Sequence, residues 1–114
     1  MKEKRKFIRL KTPIGLKYRR VSKLRRHKPA LSIVKDLSGA GVRFNVKEEM
    51  RHGDLVEVDI MIPHLSEPVR AIGEVVWFSR TESKSGSEAA IRFRDIEPAD
   101  LNHILEYVYM IGIG

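Results

Sequence analysis

Residues 55–62 read LVEVDIMI and decide the fold most clearly. Apolar side chains occupy every second position from Val56 to Ile62, and Glu57, Asp59 and Met61 stand between them. Successive side chains of a β-strand point to opposite faces, so this period of two is typical of a strand. It predicts a sheet with one face buried and the other in water.

Similar short segments occupy much of the remaining chain. They alternate in the same way and are separated by Gly, Pro and Ser-rich turns. Gly73 interrupts one of them, which predicts a bulge or bend there. The five further predicted strands are Thr12–Val21, Leu31–Lys35, Gly41–Val46, Val69–Phe78 and Glu88–Phe93.

The apolar period changes from two to 3.6 after Pro98, which predicts an amphipathic helix. Pro98 is compatible with its first turn, and Gly112 marks its end. Six strands followed by one helix predict an all-β fold, either a small antiparallel barrel or a curled sheet, with the helix against an opening. The expected apolar stripe is Leu101, Ile104, Leu105, Val108 and Ile111.

The composition bounds the class of protein. A chain of 114 residues fits one domain, and the absence of Cys excludes disulfides and thiolate metal sites. The basic start has no apolar signal region, and no apolar run approaches the roughly 18–20 residues that span a bilayer. We therefore expect a soluble, cytoplasmic protein.

No catalytic or metal-binding constellation is evident. The four His residues are scattered without helical ligand spacing, which predicts no metal site. Ser38 is not in the GxSxG context of a hydrolase nucleophile, and the nearby glycines form neither a dinucleotide fingerprint nor a P-loop. The chain is therefore not expected to be an enzyme or to carry a cofactor.

Positive charge is concentrated at the N-terminus. Residues 1–28 contain 13 Lys or Arg and one acid, Glu3, a net of +12, whereas the other 86 residues carry nine bases and 14 acids, a net of −5. A basic arm on a mildly acidic body indicates one anion site or one docking face. The alternative is a solvated tail.

Two short motifs offer the chemistry of such an anion site. Arg5-Lys6-Phe7-Ile8-Arg9 is an RxxxR, and residues 36–41, DLSGAG, form a DxSxxG. The planar guanidinium of Arg can pair with guanine or hold a phosphate. The second motif adds a carboxylate acceptor, a hydroxyl, and glycines that let backbone N–H groups approach a ligand.

Together the motifs resemble the signature of PilZ domains, bacterial receptors for cyclic di-GMP. The resemblance implies a six-stranded antiparallel β-barrel with a C-terminal α-helix over residues 12–114, preceded by a flexible arm over residues 1–11 that carries RxxxR. Residues 73–77, GEVVW, and Ile91-Arg92-Phe93 are similar to two of the family's strands. Ala90 departs from the Gly with which the closing strand usually begins.

The resemblance also implies a function and a site. Arg5 and Arg9 would grip cyclic di-GMP from one side while the DxSxxG motif holds the other, and closure of the arm would signal to a protein partner in motility, secretion or exopolysaccharide control. Lys4, immediately before the first Arg, is expected to help hold a second, stacked ligand molecule. No membrane insertion is expected. The expected ligand-binding residues are Lys4, Arg5, Arg9, Asp36, Ser38, Gly39 and Gly41.

Alternatives remain for each element of this hypothesis. DxSxxG is also an ordinary tight turn in which Asp36 and Ser38 bond nearby backbone and Gly41 takes a positive φ. The chain could instead be a PilZ-like interaction adaptor that does not need the nucleotide. A third, less favoured possibility is a nucleic-acid-binding barrel that uses Lys17, Arg19, Arg20, Arg25 and Arg26.

Four aromatic side chains, Phe44, Trp77, Phe78 and Phe93, are candidate stacking platforms for bases. Phe44 and Phe93 lie in alternating strands, which predicts core packing for both. Trp77 is expected near the mouth of the barrel, where it could contact the arm or the helix.

Overall fold

A computed structural model describes residues 14–22, 27–81 and 86–113 of the chain. Lys4, Arg5, Arg9, Arg25 and Arg26 lie outside the described residues. The elements are β1 Gly15–Val21, β2 Ala30–Leu37, β3 Gly41–Val46, β4 Leu55–Ile60, β5 Val69–Ser79, β6 Ser87–Ile96 and α1 Pro98–Ile113.

The six strands form a closed antiparallel barrel in the order β1-β2-β3-β6-β5-β4. Pairing of β1 with β4 closes the barrel, with Leu16 opposite Ile60 and Val21 opposite Leu55. Closure removes unpaired sheet edges, so each strand has two hydrogen-bonded neighbours. The predicted fold, a six-stranded antiparallel barrel with a C-terminal helix, is confirmed.

Alternating residues fill the interior. Val56, Val58 and Ile60 of β4 are fully buried, whereas Glu57 is half-buried on the outer face. The strand ends two residues earlier than predicted, although Ile62 is still buried just beyond it. The largest side chains that complete the core are Leu16, Tyr18, Leu37, Phe44 and Ile104.

Strand β5 bends where the sequence predicted. Its register with β6 shifts between Ile72 and Gly73 and again between Val75 and Trp77. A Cβ on Gly73 would lie 2.6 Å from Ile91 Cδ1 and 3.0 Å from the carbonyl oxygen of Arg92, so a side chain there would require its neighbours to shift. Gly73 therefore allows β5 and β6 to approach closely at the bend.

The helix differs from its predicted stripe. Ile104, Tyr107 and Val108 are buried, and the ring of Tyr107 stacks on His64 with centroids 5.9 Å apart. Leu105 and Ile111, both expected in the stripe, are 38% and 50% exposed. The stripe prediction was wrong at these two positions because Leu105 lies beside the buried face of the helix, and Ile111 lies three residues beyond Val108, the last buried residue of that face.

The end of the helix was also predicted incorrectly. The helix continues through Gly112 to Ile113, so Gly112 is not a stop signal. No helix in the part of the chain that the structure describes is long and apolar enough to cross a membrane.

Tyr18 connects β1 to the segment that follows β3. Its side chain is 2% exposed, its hydroxyl donates to Glu48 Oε1 at 2.8 Å, and it accepts from the backbone N–H of Lys47 at 3.2 Å. The pKa of Tyr18 is raised to about 12, mainly by burial; Glu48 contributes to the rise and the Lys47 N–H opposes it. The folded barrel therefore favours the neutral phenol.

Tyr18→Phe should destabilise the protein at neutral pH by about 1–3 kcal/mol, because Glu48 and the Lys47 N–H lose their partner. The raised pKa adds a pH dependence. The contribution of Tyr18 is complete below pH 10, where the unfolded phenol is neutral, and is lost as pH rises through about 12.

Urea unfolding at several pH values from neutral to strongly alkaline tests this pH dependence of the free energy of unfolding. The wild type should lose stability faster above pH 10 than Tyr18→Phe does. Tyr109→Phe is the matched control, because that ring is 61% exposed. Parallel alkaline curves for wild type and Tyr18→Phe would contradict the assignment.

Candidate ligand-binding site

A groove of about 480 Å³ lies on the outer wall of the barrel, beside the DxSxxG motif. Strands β2 and β3 and their connection form one side of it, and β5 and β6 form the other. The groove brings together residues far apart in the chain. Its lining is Asp36, Ser38, Ala40, Gly41, Val42, Arg43, Val76, Trp77, Ala90, Ile91 and Arg92.

Asp36 faces this groove because β2 contains a bulge. Val34 pairs with Phe44, but the register then shifts, so that Asp36 pairs with Arg43 and Leu37 with Val42. Strict alternation from the buried Val34 would direct position 36 into the core. The extra residue, Lys35, places the carboxylate on the outer side instead and leaves Leu37 fully buried.

Arg43 holds the carboxylate of Asp36 in position. Its Nε donates to Asp36 Oδ2 at 2.9 Å, and its Nη1 donates to Glu88 Oε1 at 2.8 Å. Asp36 is 7% exposed. One guanidinium thus links β2, β3 and β6 through two charge-assisted hydrogen bonds.

The position of Arg43 could be predicted in part from the sequence. It alternates with Val42 and Phe44, which places it on the outer face of β3. Nothing in the sequence, however, identified Asp36 and Glu88 as its partners, because those contacts depend on the bulge and on the β3–β6 register.

The connection between β2 and β3 is a tight turn. The Ala40 N–H donates to Ser38 Oγ at 3.1 Å, and the Ser38 N–H donates to the Gly41 carbonyl at 3.0 Å. The Phe93 N–H donates to the Ala40 carbonyl at 2.9 Å, which attaches the turn to β6. Ser38 therefore has the structural role that the tight-turn alternative predicted, while it also lines the groove.

Gly41 does not have the positive φ that the tight-turn alternative predicted, but a glycine is required there for another reason. Among the described residues, positive φ occurs at Gly53 and Gly86 and not at Gly41. A Cβ on Gly41 would instead overlap the carbonyl oxygen of Ile91 on β6. The backbones of β3 and β6 approach so closely here that a side chain cannot fit.

The opposite side of the groove carries an indole and a second guanidinium. Trp77 is 41% exposed and pairs with Ala90 across the β5–β6 ladder. Arg92 is exposed on β6. Phe44 is fully buried, and Phe93 packs on the core, so the predicted core roles of these two rings are confirmed.

The basic residues of β1 are paired with acids on β4 or immediately before it. Lys17 Nζ lies 3.7 Å from Asp59, Arg19 Nη2 lies 2.9 Å from Glu57, and Arg20 Nη2 lies 3.3 Å from Asp54. These carboxylates offset the positive charge that the nucleic-acid alternative required of β1. Across residues 14–22, 27–81 and 86–113, no group of three or more potential metal ligands is found.

The model of the PilZ domain family matches residues 3–110, nearly the whole chain, and the chain belongs to this family. No curated protein matches it significantly in sequence.

Solved structures share the fold. The Bacillus subtilis inhibitor of motility MotI/DgrA superposes with a TM-score of 0.80 at 10% identity, over 97% of this chain and 52% of that one. The PilZ domain of Escherichia coli YcgR with c-di-GMP gives 0.70 at 11% identity, over 97% and 93%. The K. pneumonia MrkH–c-di-GMP complex gives 0.70 at 15% identity, over 99% and 54%. The chain therefore spans about half the length of MotI/DgrA and MrkH.

Gly41→Ala should destabilise the barrel by about 1–3 kcal/mol or more, because the methyl group collides with the backbone of Ile91 rather than with a movable side chain. Gly15→Ala is the matched control, since its Cβ would meet Met61 at an ordinary 3.7 Å. Thermal unfolding measures both. Equal melting temperatures for the two variants would contradict the close-approach explanation.

Proposed function

We propose that the protein is a cyclic di-GMP receptor domain. The observation that carries this proposal is the groove beside DxSxxG, in a chain of the PilZ family, where a positioned carboxylate, a hydroxyl and an exposed indole converge. The YcgR and MrkH structures, whose folds are similar, contain c-di-GMP. Their ligand supports the proposal by analogy of fold.

The groove offers complementary chemistry to a guanine base. The carboxylate of Asp36 accepts hydrogen bonds from guanine N–H groups, and Arg43 keeps it oriented through Oδ2. Ser38 and the backbone of Gly39–Gly41 approach the ligand at the turn. Trp77 supplies a flat apolar surface on the far side, against which a base can stack for about 1–3 kcal/mol.

The RxxxR motif completes the proposed site. Ile14 accepts a backbone hydrogen bond from Val34 at 2.8 Å, so the chain enters the barrel two residues from Asp36 along β2. Five Cα-to-Cα steps separate Arg9 from Ile14, which gives a reach of at most roughly 17 Å, and the nine steps from Arg5 give at most roughly 31 Å. The guanidinium groups of Arg5 and Arg9 would hold guanine edges and phosphates within this reach.

The balance of these terms predicts moderate affinity. A bidentate Arg–guanine pair contributes about 1–3 kcal/mol, and ordering each arm residue costs on the order of 1–2 kcal/mol. Because these terms nearly offset, we expect a binding free energy of about −8 kcal/mol, which corresponds to a roughly micromolar Kd. An arm that changes its contacts with ligand would present a different surface to a protein partner. Lys4, next to Arg5, would be placed to hold a second ligand molecule.

Isothermal titration calorimetry with cyclic di-GMP tests the site. Arg5→Ala, Arg9→Ala and Asp36→Ala should each weaken binding at least tenfold, because each removes a charged contact worth about 1.4 kcal/mol or more. Arg70→Ala is the matched control, an Arg that is 72% exposed and lies outside the groove. GMP and GTP should bind more weakly than cyclic di-GMP.

The melting temperatures of the same variants separate binding from folding. Loss of stability without loss of affinity in Asp36→Ala would support the tight-turn alternative. A wild-type protein that shows no heat of binding would favour the adaptor alternative, in which a PilZ-like barrel docks on a protein without the nucleotide.

Limited trypsin digestion tests the role of the arm. Saturating cyclic di-GMP should slow cleavage after the Lys and Arg residues between Lys4 and Lys11, because ligand contacts at Arg5 and Arg9 shield these bonds. Cleavage at Arg94 on β6 serves as an internal reference for the barrel. Equal arm cleavage with and without bound ligand would exclude arm closure while leaving the groove as a binding site.

A further inference from the structure

The outer surface of the barrel exposes two large aliphatic side chains on β2. Leu31 is 76% exposed and Ile33 is 51% exposed, and both line a groove of about 290 Å³ that is separate from the ligand groove. Lys47 lines the same groove. No acidic side chain is among the described residues that line it, so this strand face, made of Leu31, Ile33, Asn45 and Lys47, is apolar with a basic rim.

The outer surface of the helix is also apolar but carries the opposite charge. Leu105, Tyr109 and Met110 are 38%, 61% and 64% exposed. Glu106 is exposed between them, and the helix contains no Lys or Arg. Leu105 lies next to Tyr109, and Glu106 next to Met110, one turn apart. These four residues form the helix face.

The two faces are complementary, and each is exposed in the same molecule. Exposed clusters of large apolar side chains mark interaction surfaces. Glu106 and the carbonyl end of the helix attract Lys47. We propose that the helix face of one copy docks on the strand face of a second copy, as a head-to-tail contact.

This contact is heterologous, because it joins two different surfaces. Such contacts form rings if their rotation closes and open chains if it does not. The ligand groove contains none of the eight residues involved, so the proposal does not depend on the proposed function.

Sedimentation velocity from about 1 µM to about 1 mM tests self-association over the range expected for a contact of this kind. The wild type should form larger species as concentration rises. Leu31→Asp and Tyr109→Asp should each remain monomeric, because each places a charge in the apolar contact. Leu55→Asp, an exposed strand Leu outside both faces, should associate like the wild type.

A mixture of the two variants that do not self-associate gives the decisive result. Leu31→Asp retains an intact helix face and Tyr109→Asp an intact strand face, so their mixture should form a 1:1 dimer that grows no further. Lys47→Glu, which opposes Glu106, is a second strand-face variant in case Leu31→Asp does not fold, as judged by its melting curve. A monomeric wild type, or no dimer in the mixture, would overturn the proposal.

Discussion

The bulge between Val34 and Asp36 is the feature on which the candidate site depends. Without the extra residue, period-two alternation would direct Asp36 toward a core that is otherwise apolar. A buried carboxylate there would lack the partners that it has on the outside and would cost several kcal/mol. The bulge thus serves folding and site formation at once, because it keeps Leu37 in the core while Asp36 meets Arg43.

Two glycines allow the strands beside this bulge to close around the groove. Gly41 lets β3 approach the Ile91 backbone, and Gly73 lets β5 bend against the side chain of the same residue. Both contacts converge on β6, which also carries Glu88 and Arg92. The geometry of the groove is therefore set by backbone approach more than by side-chain packing, and small local changes in β6 would alter both of its sides.

Much of the barrel could be predicted from sequence because burial on one face imposes a period of two. The ends of the strands could not be predicted, because β2 extends to Leu37 and β6 to Ile96 through strand pairing that no local sequence pattern shows. The helix stripe failed at Leu105 and Ile111 because burial there depends on where the helix rests on the barrel. Asp36, Ser38 and Gly41 of DxSxxG line the groove, but the partners of Asp36 arise from strand register and could not be predicted.

The charges around the groove explain why the proposed function needs residues from outside the barrel. Asp36 and Glu88 are offset by Arg43 and Arg92, two acids against two bases, so this surface has no excess of positive charge. On the proposed function, Arg43 reduces the repulsion between Asp36 and an anionic ligand, but attraction for two phosphates must come from elsewhere. On the same proposal, Arg5 and Arg9 of the N-terminal motif would supply the charge that the groove lacks. The carboxylate would then provide selectivity for guanine, while the arm would provide most of the electrostatic affinity.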